Sequence, residues 1–166
     1  MTGVQTCALP IYPEDKYKYR SYANIAGVLA AEAGEDAVFE FVKRLVFNIM
    51  IGNADMHLKN WSVLYPDGRK AVLAPAYDYV STIPYIPNDT LALNFGAEKS
   101  LHQISLDQVR RFVDKARLPM PPVWRIVRET MIRTAEAWES LPEKDILPAD
   151  IRAAVGAQIA RVQVAP

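Results

Sequence analysis

Five side chains with polar chemistry crowd into eight positions, Asn53, Asp55, His57, Lys59 and Asn60, between the apolar flanks I-M-I-G and W-S-V-L-Y. A second acid, Asp78, stands inside the apolar run A-P-A-Y-D-Y-V. Phosphoryl transfer needs such a set. A carboxylate must orient the attacking hydroxyl or take its proton, and hard oxygen ligands must hold the magnesium ions that screen nucleotide phosphates. The order Asp55, Asn60, Asp78 offers both. Each residue also has a plainer use. Asp55 suits a turn in which its carboxylate bonds local backbone. Asn60 suits an Asx-type turn entering a strand, and Asp78 a cap on a following turn. Lys59 can place its ammonium near a transferring phosphate or remain a solvated charge. His57, two residues after Asp55, can bond a backbone carbonyl and brace the loop, and Asn53 can tie it together. An Asp-x-His metal pair is a poor fit, because His102 is the only other histidine and no cysteine lies near.

These residues need rigid neighbours to hold them, because loop residues do chemistry only when a scaffold positions them. The pattern predicts a helix capped by Ser21, running to about Ala33 and stopped by Gly34. A second helix, with Asp36 as its cap, runs to Met50 or Ile51. Phe39, Phe41, Val42, Leu45, Val46, Phe47, Ile49 and Met50 surround much of that rod, so it belongs in a core. Gly52 ends it. Trp61–Tyr65 and Ala71–Leu73 read as strands joined by the turn Pro66-Asp67-Gly68-Arg69. Residues 80–104 read as loop, with Leu91–Phe95 as a short strand. A Ser105-x-x-Gln108 capping box opens a helix bearing Val109, Phe112, Val113 and Ala116 on one face. Leu118–Pro122 breaks it. A further helix carries Val123, Ile126, Val127, Met131 and Trp138, and Pro148 starts the last, with Ile151, Val155, Ile159 and Val162 aligned. Trp124 and Trp138 read as core rather than ligand platform. The fold class is mainly α with small β-hairpins.

In protein kinases the catalytic-loop Asp is followed five positions later by a metal-binding Asn, and a further Asp lies beyond a small hairpin. The wider pattern is more specific. N-A-D-M-H-L-K-N-W-S-V-L-Y, followed by L-A-P-A-Y-D-Y-V-S-T, resembles the C-lobe signature of the HipA-like toxin kinases, bacterial serine/threonine protein kinases of type II toxin–antitoxin modules. The segments S-Y-A-N-I-A and L-A-L-N-F-G are similar to that family as well. The resemblance covers residues 12–166 and implies a protein-kinase-like C-lobe. It implies Asp55 as the catalytic base or hydroxyl-orienting acid, with Lys59 and His57 beside it, and Asn60 and Asp78 as ligands for Mg2+ and ATP. It also implies a HipB-like DNA-binding antitoxin as partner and a protein substrate such as an aminoacyl-tRNA synthetase. The chain has seven glycines, none in a G-x-G-x-x-G, and no lysine in a V-A-I-K-like strand. Both features belong to a kinase N-lobe. The expectation is therefore a C-lobe fragment, inactive by itself, of a kinase parent.

Composition sets the outer limits. The 166 residues are 51% hydrophobic and 23% charged, which is the balance of one globular domain. Nineteen Lys and Arg offset nineteen Asp and Glu, so binding nucleic acid through bulk positive charge is excluded for this lobe. No apolar run approaches the roughly 18 residues of a membrane span. Cys7 is the single cysteine, which gives no support to secretion and makes the cytoplasm the default. Residues 1–11, M-T-G-V-Q-T-C-A-L-P-I, resemble the translation of a sequencing-library adapter and are set apart from the fold. Tyr12, Tyr17, Tyr19 and Tyr22, interleaved with Lys16, Lys18 and Arg20, read as a lobe-connecting strand or, less plainly, as a stacking surface for a nucleobase. Two other readings stay open: a small-molecule phosphotransferase of kinase-like fold, and a helical binding module whose polar loop contacts a partner.

Overall fold

The computed structural model describes residues 5–7, 21–162 and 164–165. The lead-in with Tyr12, Tyr17 and Tyr19 lies outside them. Five helices carry the fold: α1 (Tyr22–Glu32), α2 (Glu35–Ile51), α3 (Leu106–Ala116), α4 (Met120–Ser140) and α5 (Ala149–Arg161). The strands are short: β1 (Gln5–Cys7), β2 (Val63–Tyr65), β3 (Val72–Leu73), β4 (Ile104–Ser105) and β5 (Val164–Ala165). β2 and β3 form the expected hairpin, with Val63 opposite Leu73. β1, three residues of the leader set apart above, pairs antiparallel with the other edge of β2. β4 and β5 pair in parallel and bring the end of the chain back to the start of α3.

α2 is the central rod. It packs on α1, α4, α5 and β3. Phe41, Val42, Leu45, Val46, Ile49 and Met50 are buried. Burial of this kind stabilises by roughly 1.5–3 kcal/mol per large apolar side chain. Gly52 takes the left-handed conformation that closes the helix, φ 74° and ψ 38°, and its N–H bonds the Ile49 carbonyl at 3.1 Å. Few residues but glycine occupy that region at no cost.

The hairpin strands are shorter than expected, beginning at Val63 and Val72 where Trp61 and Ala71 were expected, and three further boundaries differ for local reasons. The cap of α2 is Gly34 and not Asp36. Asp36 instead sits with Glu35 in the first turn, where negative charge favours the exposed helix N–H groups. The break before α4 is shorter than expected. Pro121 and Pro122 lie within its first turn, where no N–H is required, so proline is tolerated. Leu91–Phe95 is not a regular strand. It runs through the core with Leu91, Leu93 and Phe95 buried, but it makes only isolated bridges, Ser21 to Asn94 and Phe95 to Glu98. The Ser105–Gln108 capping box forms as expected, Gln108 N–H donating to Ser105 Oγ at 3.1 Å and Ser105 N–H to Gln108 Oε1 at 2.8 Å.

Candidate active site

The loop from Asn53 to Asn60 leaves the end of α2 and enters the hairpin through a 3-10 turn, Leu58–Asn60. It is irregular, yet its backbone is pinned from several sides. The Tyr22 hydroxyl of α1 donates to the Met56 carbonyl at 3.1 Å. The Ala92 N–H donates to the Ala54 carbonyl at 2.9 Å, and the Ala54 N–H donates to Thr82 Oγ1 at 3.0 Å. Tyr77 closes the far end. Its hydroxyl donates to the Lys59 carbonyl at 2.7 Å and lies 2.6 Å from Ser62 Oγ. Burial pushes the Tyr22 phenol well above its ordinary pKa, and the nearby Asp55 charge adds to the effect. Tyr22 is therefore a core residue and not a base-stacking surface.

Asn53 organises this loop. It is buried, and its carboxamide reaches in three directions. Nδ2 donates to Asn48 Oδ1 at 2.8 Å and to the Asp78 carbonyl at 3.3 Å, while Oδ1 accepts from the Asp55 N–H at 3.1 Å. One side chain thus ties the backbones of Asp55 and Asp78 to each other and to α2. Asn48, beneath it, donates to the Arg44 carbonyl at 2.8 Å.

Asn60 and Asp78 meet directly, the Asn60 amide donating to Asp78 Oδ2. Asn60 Oδ1 is buried and has no hydrogen-bond partner among the described residues. Asp78 holds a left-handed backbone, φ 59°, which Asp tolerates better than most residues but at a cost. Asp55, Lys59 and Asp78 are each exposed. His57 is buried, and its N–H donates to the Asp55 carbonyl at 2.8 Å, which tightens the turn after the acid. The ammonium of Lys59 makes no ion pair among the described residues. Of the residues expected to act together, Asn60 and Asp78 are in side-chain contact, and Asp55 is joined to Asp78 through Asn53.

Several positioning residues escaped the sequence reading: Asn48, Thr82, Tyr22 as a clamp, Tyr77 and Gln158. Asn48 left one trace, a lone polar residue in the apolar rod of α2. Gln158, buried on α5, donates from Nε2 to the Ile49 carbonyl at 3.0 Å and to the Leu101 carbonyl at 2.6 Å. It braces the last turn of α2. A separate cleft of about 330 Å3 lies between α2 and α4, lined by Lys43, Phe47, Tyr79, Ile126 and Arg133 among others, and contains none of the expected site residues.

A family model described as HipA-like C-terminal domain matches residues 2–138. The chain belongs to the HipA-like C-terminal domain family. Its relatives include a protein of Sinorhizobium fredii named "Putative kinase Y4dM", 46% identical over 139 residues, which is 83% of this chain and 34% of that protein. A second from the same organism, named "Putative kinase Y4mE", is 32% identical over 138 residues, 78% of this chain and 32% of its own length. The chain thus spans about a third of the length of the curated relatives it matches. Among solved structures, HipA of Shewanella oneidensis MR-1, in a complex of HipA, HipB and operator DNA, superposes with a TM-score of 0.71 at 23% identity, covering 87% of this chain and 36% of that one. That likeness establishes a HipA C-terminal fold, mainly helical with a small antiparallel hairpin. The family read from the Asp55-to-Asp78 motif is the family found.

Proposed function

We propose that this HipA-like domain is the catalytic lobe of an ATP-dependent serine/threonine protein kinase, which moves the γ-phosphoryl group of ATP to a protein hydroxyl. The observation that supports this most is the Asn53 carboxamide joining Asp55 to Asp78 while Asn60 contacts Asp78. The kinase names of the two relatives support the same reading.

In this reading Asp55 orients the acceptor hydroxyl and accepts its proton as the new P–O bond forms and the bond from the γ-phosphorus to the departing ADP breaks. Mg2+ and ATP, when bound, supply the phosphoryl group and neutralise charge building on its oxygens. Asn60 and Asp78 fit a magnesium ion. Both offer hard oxygen donors, and Asn60 Oδ1 is a buried acceptor with no partner among the described residues. Among those residues no three His, Cys, Asp or Glu side chains gather. A magnesium ion held by one or two side chains plus phosphates requires no such group. Lys59, exposed beside them, places positive charge near the transferring group, and buried His57 holds the loop in shape.

The parent protein would pair with a HipB-like DNA-binding antitoxin, as the HipA of the solved complex is found with HipB. DNA contact would fall to that partner, since this chain's charges balance. An aminoacyl-tRNA synthetase is one candidate acceptor, and the cytoplasm, where ATP is plentiful, is the proposed location. No helix among the described residues is long and apolar enough to cross a membrane.

The test is phosphoryl transfer from labelled ATP to a protein substrate, with this chain alone and with the protein at the length of its relatives. The longer protein should transfer in a Mg2+-dependent way and the chain alone only at background. Mg2+-independent behaviour with no nucleotide binding by either would favour a helical binding module instead.

A further inference from the structure

Thr82 lies four residues beyond Asp78, in a stretch without regular structure. Its side chain sits where three segments join. The hydroxyl oxygen accepts from the Ala54 N–H at 3.0 Å. Its single proton has two acceptors in reach, the Gly52 carbonyl at 3.2 Å and Asp89 Oδ2 at 3.4 Å. The Thr82 N–H also donates to the Gly52 carbonyl at 2.9 Å, joined there by the Ile83 N–H at 3.2 Å. Gly52 and Ala54 flank Asn53, and Ala54 is the residue before Asp55. One hydroxyl therefore fastens the peptide entering Ala54, one residue before Asp55, to the chain leaving Asp78. It complements Asn53, which makes the same connection one residue further on.

We propose that Thr82 is a positioning residue whose hydroxyl sets the spacing between the Asp55 and Asp78 carboxylates. This inference rests on the kinase reading and adds a residue to it. A reacting group displaced by about 1 Å can lower the rate by about a hundredfold. Thr82→Val keeps the shape of the side chain and removes both its acceptor and its donor. Thr82→Ser keeps the hydroxyl and loses the methyl group.

The experiment measures kcat and the KM for ATP at saturating Mg2+, with thermal midpoints on the same samples, in the protein at the length of its relatives. Thr82→Val should lower kcat by about tenfold to a hundredfold with the KM for ATP little changed, and Thr82→Ser should stay within about threefold of the parent. If Thr82→Val does not fold, Thr82→Ala against Thr82→Ser carries the same comparison, since both lack the methyl group and one lacks the hydroxyl. Parental kcat in Thr82→Val, or equal losses with and without the hydroxyl, overturns the positioning role and leaves the kinase reading standing. No transfer by the unmodified protein overturns that reading, and this inference with it.

Discussion

Asp78 holds a backbone torsion that side chains resist, and its neighbours supply the reason it stays there. With φ at 59°, its carbonyl is held by Asn53 and its carboxylate by Asn60. Strain of this kind gathers where a side chain must be aimed. Asp78→Gly relieves the torsion and deletes the carboxylate. It is expected to leave the thermal midpoint unchanged or raised, by the equivalent of up to about 1 kcal/mol, while the proposed Mg2+-dependent transfer by the protein at the length of its relatives is lost. Asp55→Asn separates chemistry from folding more cleanly. Asp55 is exposed, so the near-isosteric amide should not move the midpoint, while transfer falls by about a hundredfold to ten-thousandfold if the carboxylate takes the proton. Tyr22 gives a prediction free of catalysis. Its folded pKa is raised by burial, so the stability linked to its bound proton is present below the ordinary phenol value of 10.0 and drains away as pH rises past it. Urea unfolding from pH 8 to pH 11 should show this alkaline loss. Tyr22→Phe should flatten it, while costing about 1–3 kcal/mol at neutral pH because the Met56 carbonyl loses its donor.

At the scale of elements, the end of α2 decides where the loop begins. Gly52 is required there twice. Its φ is positive, and a Cβ would meet Ile83 Cγ2 at 2.6 Å and Gln158 Cγ at 3.3 Å. Ile83 belongs to the segment that carries Thr82, and Gln158 to α5. Gly52→Ala should therefore push apart the elements that clamp the loop, at a cost of about 2–4 kcal/mol in urea unfolding, the left-handed penalty and the overpacking penalty acting together. Helix α2 was legible because its apolar residues encircle the rod, and α3 because its capping box is local. The Asp55–Asn60 spacing was legible for the same reason, since both lie on one short loop. The Asn60–Asp78 contact was legible only through the hairpin, whose turn signal Pro66-Asp67-Gly68 folds the chain back. In that turn Asp67 accepts from the N–H groups of Arg69 and Lys70, which hold its carboxyl below the usual value. The Asn48–Asn53 link and the Thr82 clamp were not legible. Periodicity reports which side chains are apolar. It carries no information on which polar side chain, thirty residues away, meets a given backbone amide.

Across the whole molecule, the remotest contribution to the site comes from α5. The family model matches residues 2–138, and α5 begins at Ala149, beyond that span. Yet Gln158 makes the longest-range hydrogen bond to α2 among the described residues, donating to Ile49 from 109 residues away. The same Nε2 serves the Leu101 carbonyl, and Oε1 lies 3.3 Å from His102 Nδ1, so one amide joins α2, α5 and the segment before β4. Val155 and Ile159 on the same helix are buried against the core. Gln158→Leu retains that apolar contact and removes the carboxamide, both its Nε2 donor and the Oε1 that faces His102. The buried Leu101 carbonyl then loses its donor, at a cost of about 1–3 kcal/mol, while the Ile49 carbonyl is left with the Gly52 N–H alone. The urea midpoint of this chain should fall accordingly. Ile49 lies in the last turn of α2, three residues before Gly52, so the slackened turn passes directly into the loop that bears Asp55. Amide exchange should quicken at Gly52 and Asn53 in Gln158→Leu beyond what global destabilisation explains, with Val109 and Phe112 of α3 as the internal standard. Uniform acceleration at all of these positions would mean that α5 stabilises the domain without shaping the site, and that the loop's geometry is set by Asn53 and Thr82 alone.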